Sequence, residues 1–396
     1  MYIPDLSEFS QFNLINLLST CFGKPENSIK MCILIDLADL DLMENLKFME
    51  DDKYKVQTHG VNEFYKPLNG PLGNEFNIST INLYAFKTTY GSNLDPEDDA
   101  VDLEGNRLSL DKDIYPNYDI ILATTDYSLT APLTAKAKEY GFRGATLHGL
   151  NDIILNSGLS VDYREISKQA EVFRKVLTNS DSFEITFEVL NKQYKLQIFC
   201  DKQDAQKSHG LCPEGQPDVA NLPAGEVYFV PSGAEGSFPF RYSDGTLAEM
   251  TVEGGKIIYA TFLKGDEKLV EDRNEQLKAD PATGIIGELG FGTQLLPFSG
   301  KDIQDEKIFG TCHVATGRSD HLGGNLTPDL FNSKMNASHD DILYAPPKTP
   351  EINVISVQMH KNGEVSELFA NYEPTPWLLE RVSSVYPVEK FLALSV

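Results

Sequence analysis

Two of the seven histidines sit where an imidazole needs a partner. His313 lies in Gly310-Thr-Cys-His-Val-Ala-Thr-Gly317, a run of small and apolar residues with strand character, and His339 lies in Ser338-His-Asp-Asp341. In an extended chain, positions i and i+2 face the same way, so His339 and Asp341 can share a ligand while Asp340 points away. Two glutamates are placed as oddly. Glu288 is set in Gly287-Glu-Leu-Gly-Phe-Gly292, where a carboxylate loses its water, and Glu226 follows the turn Asn221-Leu-Pro-Ala-Gly225. A buried, unpaired carboxylate costs on the order of several kcal/mol, so it normally has a cation beside it. Two imidazoles and three carboxylates make a mixed nitrogen and oxygen set that suits zinc, cobalt or manganese. Five ligands exceed the four of a closed structural zinc site, and one carboxylate bridging two ions absorbs the surplus.

Taken singly, each of these residues has a blander reading. A lone histidine is more often a satisfied core residue than a ligand, and a lone glutamate more often a surface residue or an arginine's partner. Cys312 beside His313 suggests a nucleophilic dyad, but neighbours on a strand diverge to opposite faces. Asp305-Glu306-Lys307 reads either as a solvated charge cluster or as the source of a general base in Glu306.

The elements that must position this set fall into two halves. Up to about residue 180 the chain alternates buried-strand runs, such as Cys32-Ile-Leu-Ile-Asp36, with amphipathic stretches. Residues 39–49 predict a helix, 118–124 a strand, and the segment from Ser128 to Tyr140 a helix that Gly141 ends. Strand, helix and strand with compact links predict a doubly wound α/β domain over 1–180. No glycine fingerprint follows either strand, so nucleotide binding has no support. The acidic stretch from Asp95 to Glu104 fails the spacing of a calcium loop and reads as a solvated loop. A helix over 163–177 closes this half. From Phe183 onward the pattern alternates, as in Phe183-Glu-Ile-Thr-Phe-Glu-Val189 and Lys256-Ile-Ile-Tyr-Ala260, which predicts a β-rich α+β domain over 181–396 that carries every candidate ligand.

Composition narrows the partners. With 34 basic against 59 acidic residues, the formal charge of −25 repels phosphate backbones and anionic lipid, so no nucleic-acid or membrane partner is expected. Five scattered cysteines in odd number, with no secretion signal and no apolar run long enough to span a bilayer, predict a reduced, cytoplasmic chain.

From about Asp119 onward the chain resembles the thermophilic metallo-aminopeptidase family, of the aminopeptidase T and aminopeptidase S type. Five stretches carry the likeness in order: DIILATTDYSLT at Asp119, NLPAGEV at Asn221, GELGFGT at Gly287, DEKIFGTCHVATG at Asp305 and SHDD at Ser338. The resemblance implies that Glu226, Glu288, His313, His339 and Asp341 bind two metal ions, with Glu288 bridging them and a hydroxide between. It also implies a homodimer acting on short peptides or other small molecules. Two features depart from the family. The active-site tyrosine expected seven residues after the first histidine is replaced by Asp320, and Glu306 lies seven positions ahead of His313, farther than usual. If Asp320 occupies the tyrosine's place, an anion there cannot donate a hydrogen bond to an oxyanion and hydrolysis of simple aminoacyl amides should be slow; the other reading is a rearranged loop with Asp320 facing solvent. Two other functions stay open. His313, His339 and Asp341 also match the ligands of a non-haem iron ring-cleaving dioxygenase, an enzyme of the same architecture. A metal-retaining binding protein without catalysis is the other.

Overall fold

The computed structural model describes residues 1–392. The chain forms two compact units. One comprises Asp5–Ser167 and His209–Ala224, and the other comprises Met1–Pro4, Lys168–Ser208 and the chain from Gly225 onward. The chain thus leaves the first unit inside the helix Tyr163–Leu177 and returns to it for one short excursion, a division no local pattern in the sequence announces.

The first unit is built on a seven-stranded sheet. Its strand Ile29–Leu37 is buried at every position except Lys30 and pairs in parallel with Ile78–Lys87 on one side and Ile120–Thr124 on the other. Arg143–Thr146 and then Val219–Asn221 extend the parallel pairing, while two short antiparallel strands complete the opposite edge. The helix Thr130–Tyr140 ends at Gly141, which adopts the left-handed conformation (φ 86°) that glycine tolerates best. Residues 39–49 differ from expectation. Leu40–Glu50 is a tight 3₁₀ stretch broken at Glu44, Asn45 and Leu46, the last two at positive φ, so no regular helix forms. The acidic stretch is tied to its own loop: Asp98 accepts from Ser109 and from the Asp111 amide, Asp99 pairs with Arg107, and Asp102 closes a turn on Asn106.

The second unit holds two antiparallel sheets. The larger has eight strands, with Ser182–Val189 at its centre between Lys192–Phe199 and Asn353–Lys361. The smaller carries the candidate ligands, and its five strands are numbered here in chain order. They are β1 (Gln206–Ser208), β2 (Glu226–Phe229), β3 (Ile286–Gly292), β4 (Cys312–Gly317) and β5 (His339–Tyr344). In space they run β5-β4-β3-β2-β1. Alternation gives this sheet one apolar face, on which Val227, Phe229, Leu289, Phe291, Cys312 and Val314 join the core. Phe183 and Phe187 of the larger sheet meet that face at Phe229, Phe291 and Tyr344. The opposite face is polar although it too is buried, with Glu226, Glu288, His313 and His339 all sheltered from solvent. Among the described residues, no helix is long and apolar enough to cross a membrane.

Candidate metal centre

All five residues singled out in the sequence lie on β2, β3, β4 and β5, on the face turned away from that core. Register explains the glycine-rich context. Glu226 stands opposite Gly292, His313 opposite Gly290, Glu288 and Asp341 both opposite Ala315, and His339 opposite Gly317. Each functional side chain therefore faces a residue too small to crowd it. At Gly290 the requirement is strict, because a Cβ there would fall 2.1 Å from the His313 ring. Cys312, the sequence neighbour of His313, points into the core, and burial pushes its thiol up to about 12. A Cys312–His313 dyad has no geometric basis.

Donor atoms converge at spacings of metal ligands. His313 Nε2 lies 3.6 Å from Glu288 Oε1, 3.7 Å from Glu226 Oε2 and 4.0 Å from Asp341 Oδ1. His339 Nε2 lies 3.0 Å from Glu288 Oε2 and 3.3 Å from Asp341 Oδ1. Ligands held about 2.0–2.1 Å from a tetrahedral zinc ion sit roughly 3.3–3.5 Å from one another. Two overlapping sets could each hold an ion: Glu226 with Glu288 and His313, and Glu288 with His339 and Asp341. Asp340 lies outside both and accepts from Ser338 instead.

The imidazoles also fit such a role. Nδ1 of His339 lies 2.6 Å from the Arg318 carbonyl, which can only accept, so Nδ1 carries the proton and Nε2 is turned to the carboxylates. Facing them without a cation, the ring must hold a second proton. Burial would lower its pKa, but Asp341 and Glu288 push it well up. Burial likewise opposes protonation of His313, and Glu288 with Glu306 and Asp341 raises it to about 9. Among the described residues Nδ1 of His313 has no hydrogen-bond partner, and the ring packs on Gly290. Burial would raise Glu288, yet the two histidines hold it well below the usual carboxylate range.

Glu306 and Lys307 are buried, so the solvated-cluster reading of this segment fails. Lys307 Nζ lies 2.6 Å from Glu306 Oε1 and 2.7 Å from Glu226 Oε1. Burial pushes Glu306 up to about 8, with Lys307 opposing and the charge of Asp341 adding. The lysine itself is held charged by Glu226 and Glu306 against its burial. Asp305 is separate, accepting from Ser299 and Gly300 in a local turn.

Asp320, in the position of the expected tyrosine, turns to Arg318: its oxygens lie 2.7 and 3.2 Å from the guanidinium nitrogens. Burial would raise Asp320, and His321 with Arg318 holds it well below the ordinary value. The ring beside the ligands is the next residue, His321, which packs edge-on against His339 at 4.9 Å between centroids. Sequence reading missed both His321 and Lys307. The signals available were a third histidine in the same segment and a lysine followed at once by Ile308, Phe309 and Gly310.

Comparison of the sequence with protein-family models gives no match. Comparison with curated proteins gives none either. Among solved structures the chain is similar to wild-type AmpT from Thermus thermophilus, at 13% identity and a TM-score of 0.46, covering 91% of this chain and 98% of that one. A likeness this loose assigns neither fold nor activity, and the functional reading rests on the residues themselves.

Proposed function

We propose that the chain is a metal-dependent hydrolase of aminopeptidase type with a two-ion centre. The observation that carries this is Glu288. Its Oε1 faces His313 and its Oε2 faces His339, so one carboxylate serves both ligand sets. On this reading Glu226 and His313 would hold one ion, His339 and Asp341 the other, and Glu288 would be shared between them. Charge supports it. The carboxylates of Glu226, Glu288 and Asp341 converge on one cluster, Lys307 reaches Glu226 and Glu306, and divalent ions would balance the negative charge that the lysine leaves uncompensated.

Zinc, cobalt or manganese bound there supplies Lewis acidity and a water that ionises near neutral pH. The protein's own groups do the rest. Arg318 fixes the tautomer and direction of His339 through its carbonyl. Asp341, whose side chain is 30% exposed, marks the side on which solvent reaches the ligands and offers its charge to a substrate amine. Glu306, buried and within electrostatic reach of Asp341, His313 and Glu226, is a carboxylate that could take a proton and return it. The iron-dioxygenase reading uses only His313, His339 and Asp341, and leaves Glu226 and Glu288 without a purpose in the same cluster.

The test is elemental analysis of protein purified without chelators, followed by assay on a panel of aminoacyl anilides with zinc, cobalt and manganese. Close to two ions per chain and metal-dependent release of the anilide are expected. One iron per chain with no hydrolysis under any metal would overturn the proposal in favour of oxygenation.

A further inference from the structure

Lys307 is an unusual neighbour for a cation site. Its side chain is 1% exposed, and its ammonium lies 2.7 Å from Glu226 Oε1. The backbone holds it in place, with its N–H donating to the Gln304 carbonyl and its own carbonyl accepting from Gln294. Burial and two carboxylate partners hold the ammonium beside the cluster. Its partner Glu226 belongs to only one of the two ligand sets, the one completed by Glu288 and His313.

We infer that Lys307 makes the two ion positions unequal, acting as a built-in cation that weakens the position at Glu226 and His313. The inference rests on the two-ion reading above. Two effects point the same way. The ammonium takes Oε1 of Glu226 and leaves only Oε2, the oxygen facing His313, free to ligate. Its fixed charge also repels a divalent ion a few ångströms away in a site sheltered from water, where screening is weak. The set of Glu288, His339 and Asp341 contains no residue bonded to this lysine, so its ion binds tightly and first. The protein then works as a one-ion species when metal is scarce and a two-ion species when it is plentiful.

Replacing the lysine should therefore tighten metal binding, the opposite of what loss of a structural pin would do. Lys307→Gln keeps hydrogen-bonding capacity toward both carboxylates and removes the charge. Lys307→Met removes both at similar volume, so the test does not depend on one variant folding, and Lys307→Arg keeps the charge. Chelator-stripped proteins, checked for folding by circular dichroism, are titrated with cobalt(II), following heat and visible absorption. Wild type should bind in two resolved steps. In Lys307→Gln and Lys307→Met the second step should tighten by about tenfold or more with the first little changed, while Lys307→Arg keeps a weak second step. A second ion seen only in the uncharged variants would be the same result in its extreme form. Equal steps in wild type, or a second step unchanged or weakened in the folded uncharged variants, would overturn the inference and leave the two-ion reading standing. One ion in every protein would overturn both.

Discussion

At the scale of single residues, the site is defined as much by what is missing as by what is present. Ala315 and three glycines stand opposite the five candidate ligands, and the contact at Gly290 is the tightest. A methyl group there must displace the His313 ring or the strand that carries it. Gly290→Ala is therefore expected to lose metal from the Glu226–His313 position while the Glu288–His339–Asp341 position stays filled, as elemental analysis would show. Retention of all metal would mean that His313 is not a ligand. Glu288→Gln removes the charge from the shared carboxylate and should cost far more metal than Glu306→Gln, and equal metal content in the two would sink the bridging role. Asp320 tests the departure from the family pattern. Its carboxylate is engaged by Arg318, whose carbonyl in turn orients His339. Asp320→Tyr should therefore give no gain in hydrolysis, whereas a rise of about a hundredfold would show that a tyrosine at this position can reach the oxyanion.

At the scale of elements, β3, β4 and β5 show why the ligand positions were legible in the sequence. Strand alternation is local, so Glu288 among glycines, His313 between Cys312 and Val314, and the His339–Asp341 pair announced their faces without any tertiary information. What alternation cannot give is register. The sequence singled out Glu226 by the turn before it and by the resemblance, but its approach to His313 depends on β2 pairing with β3 across about sixty residues of intervening chain. The same limit hid Lys307, whose burial comes from neighbours distant in sequence, and His321, whose contact with His339 comes from a loop. Residues 39–49 failed for another reason: an apolar pattern of helical period does not reveal that Asn45 and Leu46 sit at positive φ. Since Cys312 and His313 face opposite ways on β4, Cys312→Ala should leave metal content and hydrolysis intact at a modest cost in stability. Loss of activity in a folded, metal-replete Cys312→Ala protein would contradict that geometry.

At the scale of the whole molecule, folding is linked to protons through this one cluster. In the metal-free chain, His313 is raised from 6.5 to about 9 and Glu306 from 4.5 to about 8. A group whose folded pKa exceeds its unfolded value stabilises the fold fully below the unfolded value and loses that contribution as pH rises through the folded one. Between about pH 6.5 and 8 both groups act in the same direction, and from about 8 to 9 His313 continues alone, so the stripped protein should grow steadily less stable. Glu288 and Asp341 are shifted the other way, so their contribution is lost only in acid and does not offset the trend. A bound divalent ion replaces the protons between the carboxylates, and its competition with them eases as pH rises. The melting temperature of chelator-stripped protein should therefore fall on the order of 5 °C or more across this window. With excess zinc it should stay nearly level, so that the gap between the two curves widens toward alkaline pH. Glu306→Gln should make the stripped curve shallower below about pH 8, because an amide has no proton to lose, while the fall due to His313 remains. A stripped protein whose melting point is constant or rises over the same range would show that the cluster does not hold these protons, and with them would go the case that an ion takes their place.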